Sequence, residues 1–321
     1  MTLTTRLTLM VLFCLAVLAL APFAGLGGID DAAIREQILT QIRFPRTLFA
    51  FVAGAGLALC GLVFQAMFHN PLATPFTLGV ASGASFGAAL TVLLGINISL
   101  LGFDAITLGA FFGALGAISF VYGISRLNYS FSTETLLLTG VATSFFFSSL
   151  ILFTQYLSDV NESFRITRWL MGGLSISGYQ QLLQLLPVVT LSAGIIIWLS
   201  RELNLLMAGD DIAISRGVAV KRVRYLMFFT TSMCVGAIVA LCGPIGFVGM
   251  MVPHICRLII GTDHRWLIPA SLVFGGGFLI LCDTLARVII APAELPVGVI
   301  TTLLGGPFFL WLLVRSRRQS A

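Results

Sequence analysis

The chain is 321 residues long, and 58% of its residues are hydrophobic while only 10% are charged. Soluble domains usually carry about 25% charged residues. A mean hydropathy of +1.03 over the whole length is more than one buried core accounts for. These values exclude a soluble enzyme and a soluble protein with a single anchor. The sequence predicts an all-α, polytopic membrane protein that forms one transmembrane domain over residues 1–321.

The apolar runs predict ten membrane-crossing helices, each of which needs about 20 apolar residues. No segment between the runs reaches the ~50 residues that a separate folded domain needs. The eighth run is short for a full crossing, which predicts a broken or tilted helix. The predicted spans are 7–27, 47–68, 77–95, 103–125, 134–157, 182–200, 224–243, 246–260, 267–290 and 297–315.

The basic residues predict how the spans are oriented. If the N-terminus is cytoplasmic, two thirds of the 18 lysines and arginines fall in segments on the inside, as the positive-inside rule requires. Both termini are then expected inside. The net charge of +5 follows from this distribution and gives no indication of nucleic-acid binding.

Regularly spaced glycines predict close helix packing. Gly79, Gly83 and Gly87 recur at every fourth residue, as do Gly109 and Gly113. Small residues at this spacing let helix backbones approach in a membrane, where the hydrophobic effect no longer drives association.

An internal similarity predicts an inverted repeat. Residues 54–61 resemble residues 236–243, and by the span count the two copies start on opposite sides of the membrane. Inverted repeats are typical of transporters whose pathway follows the repeat interface. Chance similarity between apolar segments is the alternative.

The chemistry that the sequence lacks also narrows its function. There is no GxxxxGK[ST] phosphate loop, because the single lysine, Lys221, follows a valine. The cysteines contain no CxxC pair and the histidines have no ligand spacing, so no metal site is predicted. Asp283 lies inside a predicted span, and Arg287 four residues later is expected to neutralise it. Active transport would therefore need energy from a partner.

A loop at 205–220, on the predicted cytoplasmic side, carries the clearest sign of a partner. Asp210 or Asp211 is predicted to cap a short helix, and Gly217 is a natural stop after it. Apolar side chains on such a helix have no lipid to cover them, which favours docking of another protein. A helix lying on lipid headgroups is the alternative. These apolar residues are Ile212, Ala213, Ile214 and Val218.

The fifth predicted span carries a stripe of hydroxyl side chains. Polar residues on a transmembrane helix usually face protein or water, so we predict that this stripe borders the translocation pathway. Hydroxyls bonded to carbonyls one turn earlier in a helix contact are the alternative. The stripe consists of Thr135, Thr139, Thr143, Ser144 and Ser148.

The order of motifs resembles that of the FecCD family, the permease subunits of ATP-binding-cassette (ABC) importers for iron–siderophores, haem and vitamin B12. R-F-P-R at 43–46 and N-P-L-A-T-P at 70–75 are two of its signatures. His69, and Ser215 with Arg216, depart from the usual residues. The other matching segments are 61–65, 79–84, 209–210, 215–218, 243–249, 252–257, 291–298 and 305–311.

The resemblance implies a type II ABC importer in the bacterial inner membrane. Two permease subunits, a homodimer or a pair of paralogues, would join two cytoplasmic ATPases, which hold ATP and Mg, and a periplasmic binding protein. This chain would hold no cofactor, metal or catalytic residue. The expected cargo is a ferric siderophore, with haem or vitamin B12 as the alternative; a stand-alone secondary transporter or channel is the alternative from another class.

The resemblance also assigns the loop to ATPase coupling. The implied coupling residues are Gly209, Asp210, Asp211, Ile212, Ala213, Ser215, Arg216, Gly217 and Val218.

Three arginines on the predicted outer side need an explanation, because the positive-inside rule disfavours them there. In the resembled family, arginines at matching positions meet glutamates of the binding protein, so Arg43, Arg46 and Arg287 are assigned to its docking. The alternatives are structural. Arg287 would pair with Asp283, while Arg43 and Arg46 would anchor a helix end at the headgroups.

Overall fold

Helices dominate the part of the chain that the structure describes. A computed structural model describes residues 2–25, 31–100, 102–127 and 133–319. Its strands there are a two-residue antiparallel pair, β1 (Ser99–Leu100) and β2 (Phe103–Asp104). The α-helices are α1 (Leu3–Leu20), α2 (Ala32–Ile38), α3 (Phe44–Met67), α4 (Val80–Leu93), α5 (Ala105–Leu127), α6 (Thr133–Leu157), α7 (Val160–Leu170), α8 (Gln180–Trp198), α9 (Ser200–Ala208), α10 (Asp210–Ser215), α11 (Val220–Cys242), α12 (Val248–Ile260), α13 (His264–Val288) and α14 (Val297–Gln319).

The predicted spans correspond to long or apolar helices. Among the described residues, seven helices are long and apolar enough to cross a membrane, and shorter apolar helices occupy Val80–Leu93, Val248–Ile260 and Val297–Leu312. The eighth span is indeed short, since the 13 residues of α12 extend only ~20 Å. One boundary was wrong: a π-helical turn, Leu39–Arg43, joins α2 to α3, so the second span begins well before residue 47.

The helix α3 runs through the centre of the bundle, since all of its residues except Phe44, Leu48 and Phe51 are buried. Its first turn lies near α7, because Arg46 and Arg165 line one cavity, and its far end lies near α9, where His69 contacts Leu206. We name these two ends of the bundle the α7 end and the α10 end. The helices that carry the two similar segments, α3 and α11, run antiparallel, because α11 begins beside α10 and ends beside the residues after α7; the inverted repeat itself stays a prediction.

Glycines allow the closest helix approaches. A Cβ added at Gly87 on α4 would lie 2.0 Å from the carbonyl oxygen of Gly109 on α5, and one at Gly54 on α3 would lie 2.4 Å from that of Gly275 on α13. Any larger residue at Gly54 or Gly87 would force the helix pair apart. The predicted packing role of the α4 and α5 glycines is confirmed.

The connection between α6 and α8 contains the amphipathic helix α7. Asp159 and Glu162 form a capping box, in which Asp159 Oδ1 accepts from the Glu162 N–H at 2.7 Å and Glu162 Oε2 accepts from the Asp159 N–H at 3.1 Å. Ile166 is buried, while Arg165 and Arg168 are exposed. The helix is thus held by its cap and by one apolar anchor.

Candidate functional site

The coupling segment at the α10 end consists of α9 and α10, separated by Gly209 at φ 121°. The predicted aspartate cap was wrong. Gly209 itself occupies the N-cap position, without a side-chain hydrogen bond, and both aspartates lie in the first turn of α10. Asp210 instead forms an ion pair with Arg224 of α11 at 2.7 Å, which fastens α10 to α11.

The predicted glycine stop of α10 is confirmed. Gly217 has φ 82°, its N–H donates to the carbonyl of Ile214 at 2.9 Å, and the next N–H, of Val218, donates to the carbonyl of Ala213 at 3.0 Å. These two bonds form a Schellman motif. A Cβ at Gly217 would meet no atom within 4 Å, so the left-handed backbone alone requires glycine here.

The apolar surface of this segment is smaller than the sequence indicates. Ile212 and Ile214 are 48% and 60% exposed, and Met207 on α9 is 38% exposed. Ala213, in contrast, is fully buried, and Val218 packs partly against the core. We call the exposed set the α10 patch; it consists of Met207, Asp211, Ile212, Ile214, Ser215 and Arg216.

Hydrogen bonds tie α9 to the two helices behind it. His69, just beyond α3, contacts the carbonyl oxygen of Leu206 through Nε2 at 2.8 Å. Asn204 donates to Asp263 at 2.8 Å and accepts from the N–H of His264 at 2.9 Å. The α10 patch therefore stands on a support that reaches both α3 and α13.

A second polar contact joins α3 to α12 near the same end. The Arg257 guanidinium donates to Gln65 Oε1, and Gln65 Nε2 donates to the carbonyl of Met250 at 3.1 Å. His69, Gln65 and Arg257 all belong to motifs visible in the sequence, but sequence reasoning gave them no structural role. Only the folded geometry shows that they connect the coupling segment to the transmembrane core.

A break in the bundle separates α11 from α12. The chain leaves α11 through Gly243 at φ 70° and enters α12 through Phe247 at φ 65°. Gly249 lies against Gly61, in the second half of α3, so α12 begins deep within the bundle. A cavity of about 290 Å³ lies beside this break, against residues 74–77. Non-helical backbone at such depth is tolerated where it is buried in protein or lines a cavity.

The hydroxyl stripe of α6 lies partly in a packed contact. Thr143, which is 1% exposed, donates to the carbonyl of Thr139 at 2.7 Å, and Ser144 donates to the carbonyl of Gly140 at 2.9 Å. These bonds are the alternative that the sequence left open. Thr139 is buried as well, Thr135 is partly exposed and Ser148 is exposed. The pathway role of the stripe stays a prediction.

At the α7 end, charged residues form a buried cluster. Arg46 donates to Asp283 through Nε and Nη2 at 3.0 and 2.9 Å, and to Glu294 through Nη1 at 2.7 Å. Arg287 lies 3.1 Å from the second oxygen of Asp283. We call these four residues the α7-end cluster. The expected pairing of Asp283 with Arg287 is confirmed, but nothing in the sequence indicates the two ion pairs made by Arg46.

Burial separates the three arginines predicted to dock a binding protein. Arg46 and Arg287 are only 7% and 6% exposed, and the carboxylates of the α7-end cluster engage them. Arg43 is partly exposed and donates to the carbonyl of Ala24 at 3.3 Å. The docking role stays a prediction for all three, and Arg43 is the best placed to reach a partner.

Comparisons with known proteins agree with this architecture. The family model described as "FecCD transport family" matches residues 7–315. The hemin transport system permease protein HmuU of Yersinia pestis is 38% identical over 88% of this chain and 85% of its own length. The vitamin B12 import system permease protein BtuC of Klebsiella pneumoniae is 40% identical over 88% of this chain and 84% of its own length.

A solved structure matches almost the entire chain. It is described as a metal-chelate type ABC transporter in an inward-facing conformation. The two structures superimpose with a TM-score of 0.88 at 32% sequence identity, over 97% of this chain and 99% of the matched chain. The residues that the family model matches include every motif segment named in the sequence analysis. The chain belongs to the FecCD transport family and is a permease subunit of an ABC importer.

Proposed function

We propose that this permease carries a metal chelate, specifically a ferric siderophore, into the cytoplasm of a bacterium, powered by ATP hydrolysed on separate chains. The observation that carries the proposal is the α10 patch. It exposes two isoleucines on a short helix at the end of the bundle, where no membrane would cover them. Exposed apolar surface of this kind is typical of protein docking sites, and an ATPase is the partner that an ABC permease requires.

The proposed assembly contains a second permease subunit, either a copy of this chain or a paralogue, two ATPases and a periplasmic binding protein. It lies in the inner membrane with both termini of this chain cytoplasmic. The basic residues support this orientation, because the α10 end carries exposed Arg201, Arg216, Lys221 and Arg222, as a cytoplasmic surface does under the positive-inside rule.

Haem or vitamin B12 is the second candidate cargo, since the relatives named for hemin and vitamin B12 transport are 38% and 40% identical to this chain. The structure with the greater overlap, at 97% of this chain, is described as a metal-chelate type. Haem and vitamin B12 are themselves metal chelates, so that likeness supports a metal chelate as the cargo, and we place the ferric siderophore first among the three.

A stand-alone, proton-coupled transporter is less well supported. Such a transporter needs a carboxylate in a span that can take up and release protons. Asp283 is the carboxylate that the sequence places in a span, and two arginines hold it at 2.9 and 3.1 Å. A carboxylate engaged in this way is poorly suited to carry protons.

Reconstitution tests the proposed function. The permease, its ATPase and its binding protein are placed in liposomes with ATP on the ATPase side, and uptake of radioactive ferric siderophore, haemin and vitamin B12 is compared. We expect uptake that requires ATP, stops when the ATPase phosphate-loop lysine is replaced, and survives a proton ionophore. Uptake that collapses with the proton gradient while ATP persists would overturn the proposal, and the preferred cargo identifies the chelate.

A further inference from the structure

A cavity at the α7 end, separate from the coupling segment, has a lining rich in arginine. Its volume is about 330 Å³, near the lower limit of the ~300–1,000 Å³ typical of ligand pockets. We call it the α7 cavity. Its charged lining consists of Arg46, Arg165, Arg168 and Glu294, and its other walls include Trp169, Leu174 and Leu295.

The described residues leave the positive charge of two arginines in the α7 cavity without a paired carboxylate. Arg46 is already neutralised, because the α7-end cluster contains two arginines and two carboxylates in mutual contact. Within the part of the chain that the structure describes, Arg165 and Arg168 form no ion pair and donate no side-chain hydrogen bond. The nearest acids along α7, Asp159 and Glu162, form the capping box and make no ion-pair contact with either arginine.

The helix that carries the two arginines is held in place by backbone contacts. Arg165 and Arg168 are three residues apart on α7 and hence on one face of the helix. The chain after α7 is clamped, because the N–H of Gly173 donates to the carbonyl of Cys242 at 2.8 Å and the N–H of Gly298 donates to the carbonyl of Gly172 at 3.2 Å. The α7 cavity is therefore preorganised by α7, α11 and α14.

We propose that the α7 cavity binds an anionic group of the cargo, a carboxylate or another oxyanion, between Arg165 and Arg168, with Trp169 and the leucines against the apolar body of the chelate. Guanidinium groups bind planar oxyanions through paired, charge-assisted hydrogen bonds. The cavity is recessed and partly apolar, which suits a small ligand better than a protein surface. The proposal rests on the proposed import function and adds to it the charge of the cargo.

A labelling experiment tests the charge of the cavity without any knowledge of the cargo. Ser175 lines the cavity and is exposed, and the six native cysteines are all buried. Ser175→Cys is labelled in the full-length permease with the anionic sulfonatoethyl and the cationic trimethylammonioethyl methanethiosulfonates. Ser99→Cys, exposed in β1, is labelled in the same way, and dividing by its anion-to-cation rate ratio corrects for the different reactivities of the two reagents. We expect a corrected anion-to-cation rate ratio of about 10, which corresponds to ~1.4 kcal/mol.

Three further variants assign this ratio to the two arginines. Arg165→Gln with Arg168→Gln should bring the ratio close to one, whereas the double lysine variant should keep it. Arg35→Gln removes an exposed arginine of α2 that does not line the cavity, and should leave the ratio unchanged. An unchanged ratio in the double glutamine variant would overturn the proposal.

The source of the anion is tested by protection and by docking. Haemin and ferric citrate carry carboxylates, while haemin dimethyl ester carries none. The first two, but not the ester, should slow labelling of Ser175→Cys. In the double glutamine variant, the chelate concentration that gives the same protection should be about tenfold higher, which corresponds to ~1.4 kcal/mol. If neither anionic chelate protects Ser175→Cys, the arginines do not bind the cargo. The same conclusion follows if the double glutamine variant loses affinity for the binding protein and nothing else. A wild-type complex without ATP-driven uptake would instead refute the import function.

Discussion

At the α7 end, Arg46, Arg287 and Asp283 are shielded from solvent and paired with one another, with Glu294 half-exposed at their edge. At the α10 end, the charged residues of the α10 patch are exposed, and so are its two isoleucines. Buried charges are costly unless they stay paired, so the first arrangement fixes helices together. The second arrangement leaves charged and apolar groups available to a partner. Substitutions should therefore affect stability at the α7 end and coupling at the α10 end.

The largest effect is expected from Asp283→Asn. It leaves Arg46 and Arg287 in place, both buried, without the carboxylate that contacts them at 2.9 and 3.1 Å. Removing one partner of a buried pair typically costs about 3–5 kcal/mol. The thermal midpoint of the purified permease in detergent measures the loss.

Glu294→Gln is the matched control for this prediction. Its side chain is 47% exposed and contacts only one of the two arginines, Arg46, so the midpoint should fall much less. If Asp283→Asn is as stable as the wild type, the α7-end cluster does not hold the helices together, and the contrast between the two ends fails.

The α10 patch should show the opposite response. Ile212→Asp with Ile214→Asp places charge on two side chains that are 48% and 60% exposed, so the thermal midpoint should barely change. Docking should weaken strongly, because full burial of one isoleucine contributes ~1.5–3 kcal/mol. Co-purification of the ATPase measures this, with Val160→Asp, an exposed valine at the α7 end, as the control. Equal loss in the control would show that the patch has no specific role.

A smaller effect is expected from Gly217→Val. The backbone there has φ 82°, which costs ~1–2 kcal/mol for a residue with a side chain. Because no atom lies within 4 Å of the added Cβ, the cost is conformational and not steric. Gly217→Asn, which tolerates this region, should retain most coupling. We expect ATP hydrolysis without transport in the valine variant; identical behaviour of the two variants would show that backbone conformation is not the cause.

These contrasts also show which features a sequence can reveal. The apolar runs set the spans, and Gly217 marked the end of α10 because a helix stop is a local property. The start of α10 was misassigned, since an aspartate resembles a cap until the backbone at Gly209 is known. Local signals thus predicted elements well and their exact ends less well.

Contacts between distant residues were the part that the sequence could not predict. Arg46 and Asp283 are 237 residues apart, and no spacing rule connects them, whereas Arg287 follows Asp283 by one helical turn and was paired correctly. The support of α9 by His69 and Asn204 is non-local in the same way. The motifs marked several of these residues without showing what each one touches.

Docking of the binding protein should depend on Arg43 only modestly. Arg43 is the partly exposed member of the three arginines, and a surface ion pair contributes ~0.2–1 kcal/mol. Arg43→Glu should therefore weaken docking a few-fold at low salt, with little difference from the wild type at 1 M salt, where the Debye length is ~3 Å. Arg35→Gln is the control for general charge loss. Affinity that is unaltered in Arg43→Glu, at every salt concentration, would remove Arg43 from the interface.

The smallest effect concerns the support of the α10 patch. Hydrogen bonds from the Arg265 N–H and from Asn204 hold the pKa of Asp263 below its usual value. A carboxyl group whose pKa is lower in the folded state stabilises the fold above its unfolded pKa of ~3.9 and loses this contribution as the pH falls through the folded value. Asp263→Asn keeps a capping side chain but cannot ionise, so the difference in thermal midpoint between about pH 6 and about pH 3 should be smaller in this variant. Because Asp263 is exposed, this reduction should be slight. An equal pH response in the wild type and in Asp263→Asn would show that the bond between Asn204 of α9 and residue 263 does not depend on the carboxylate charge.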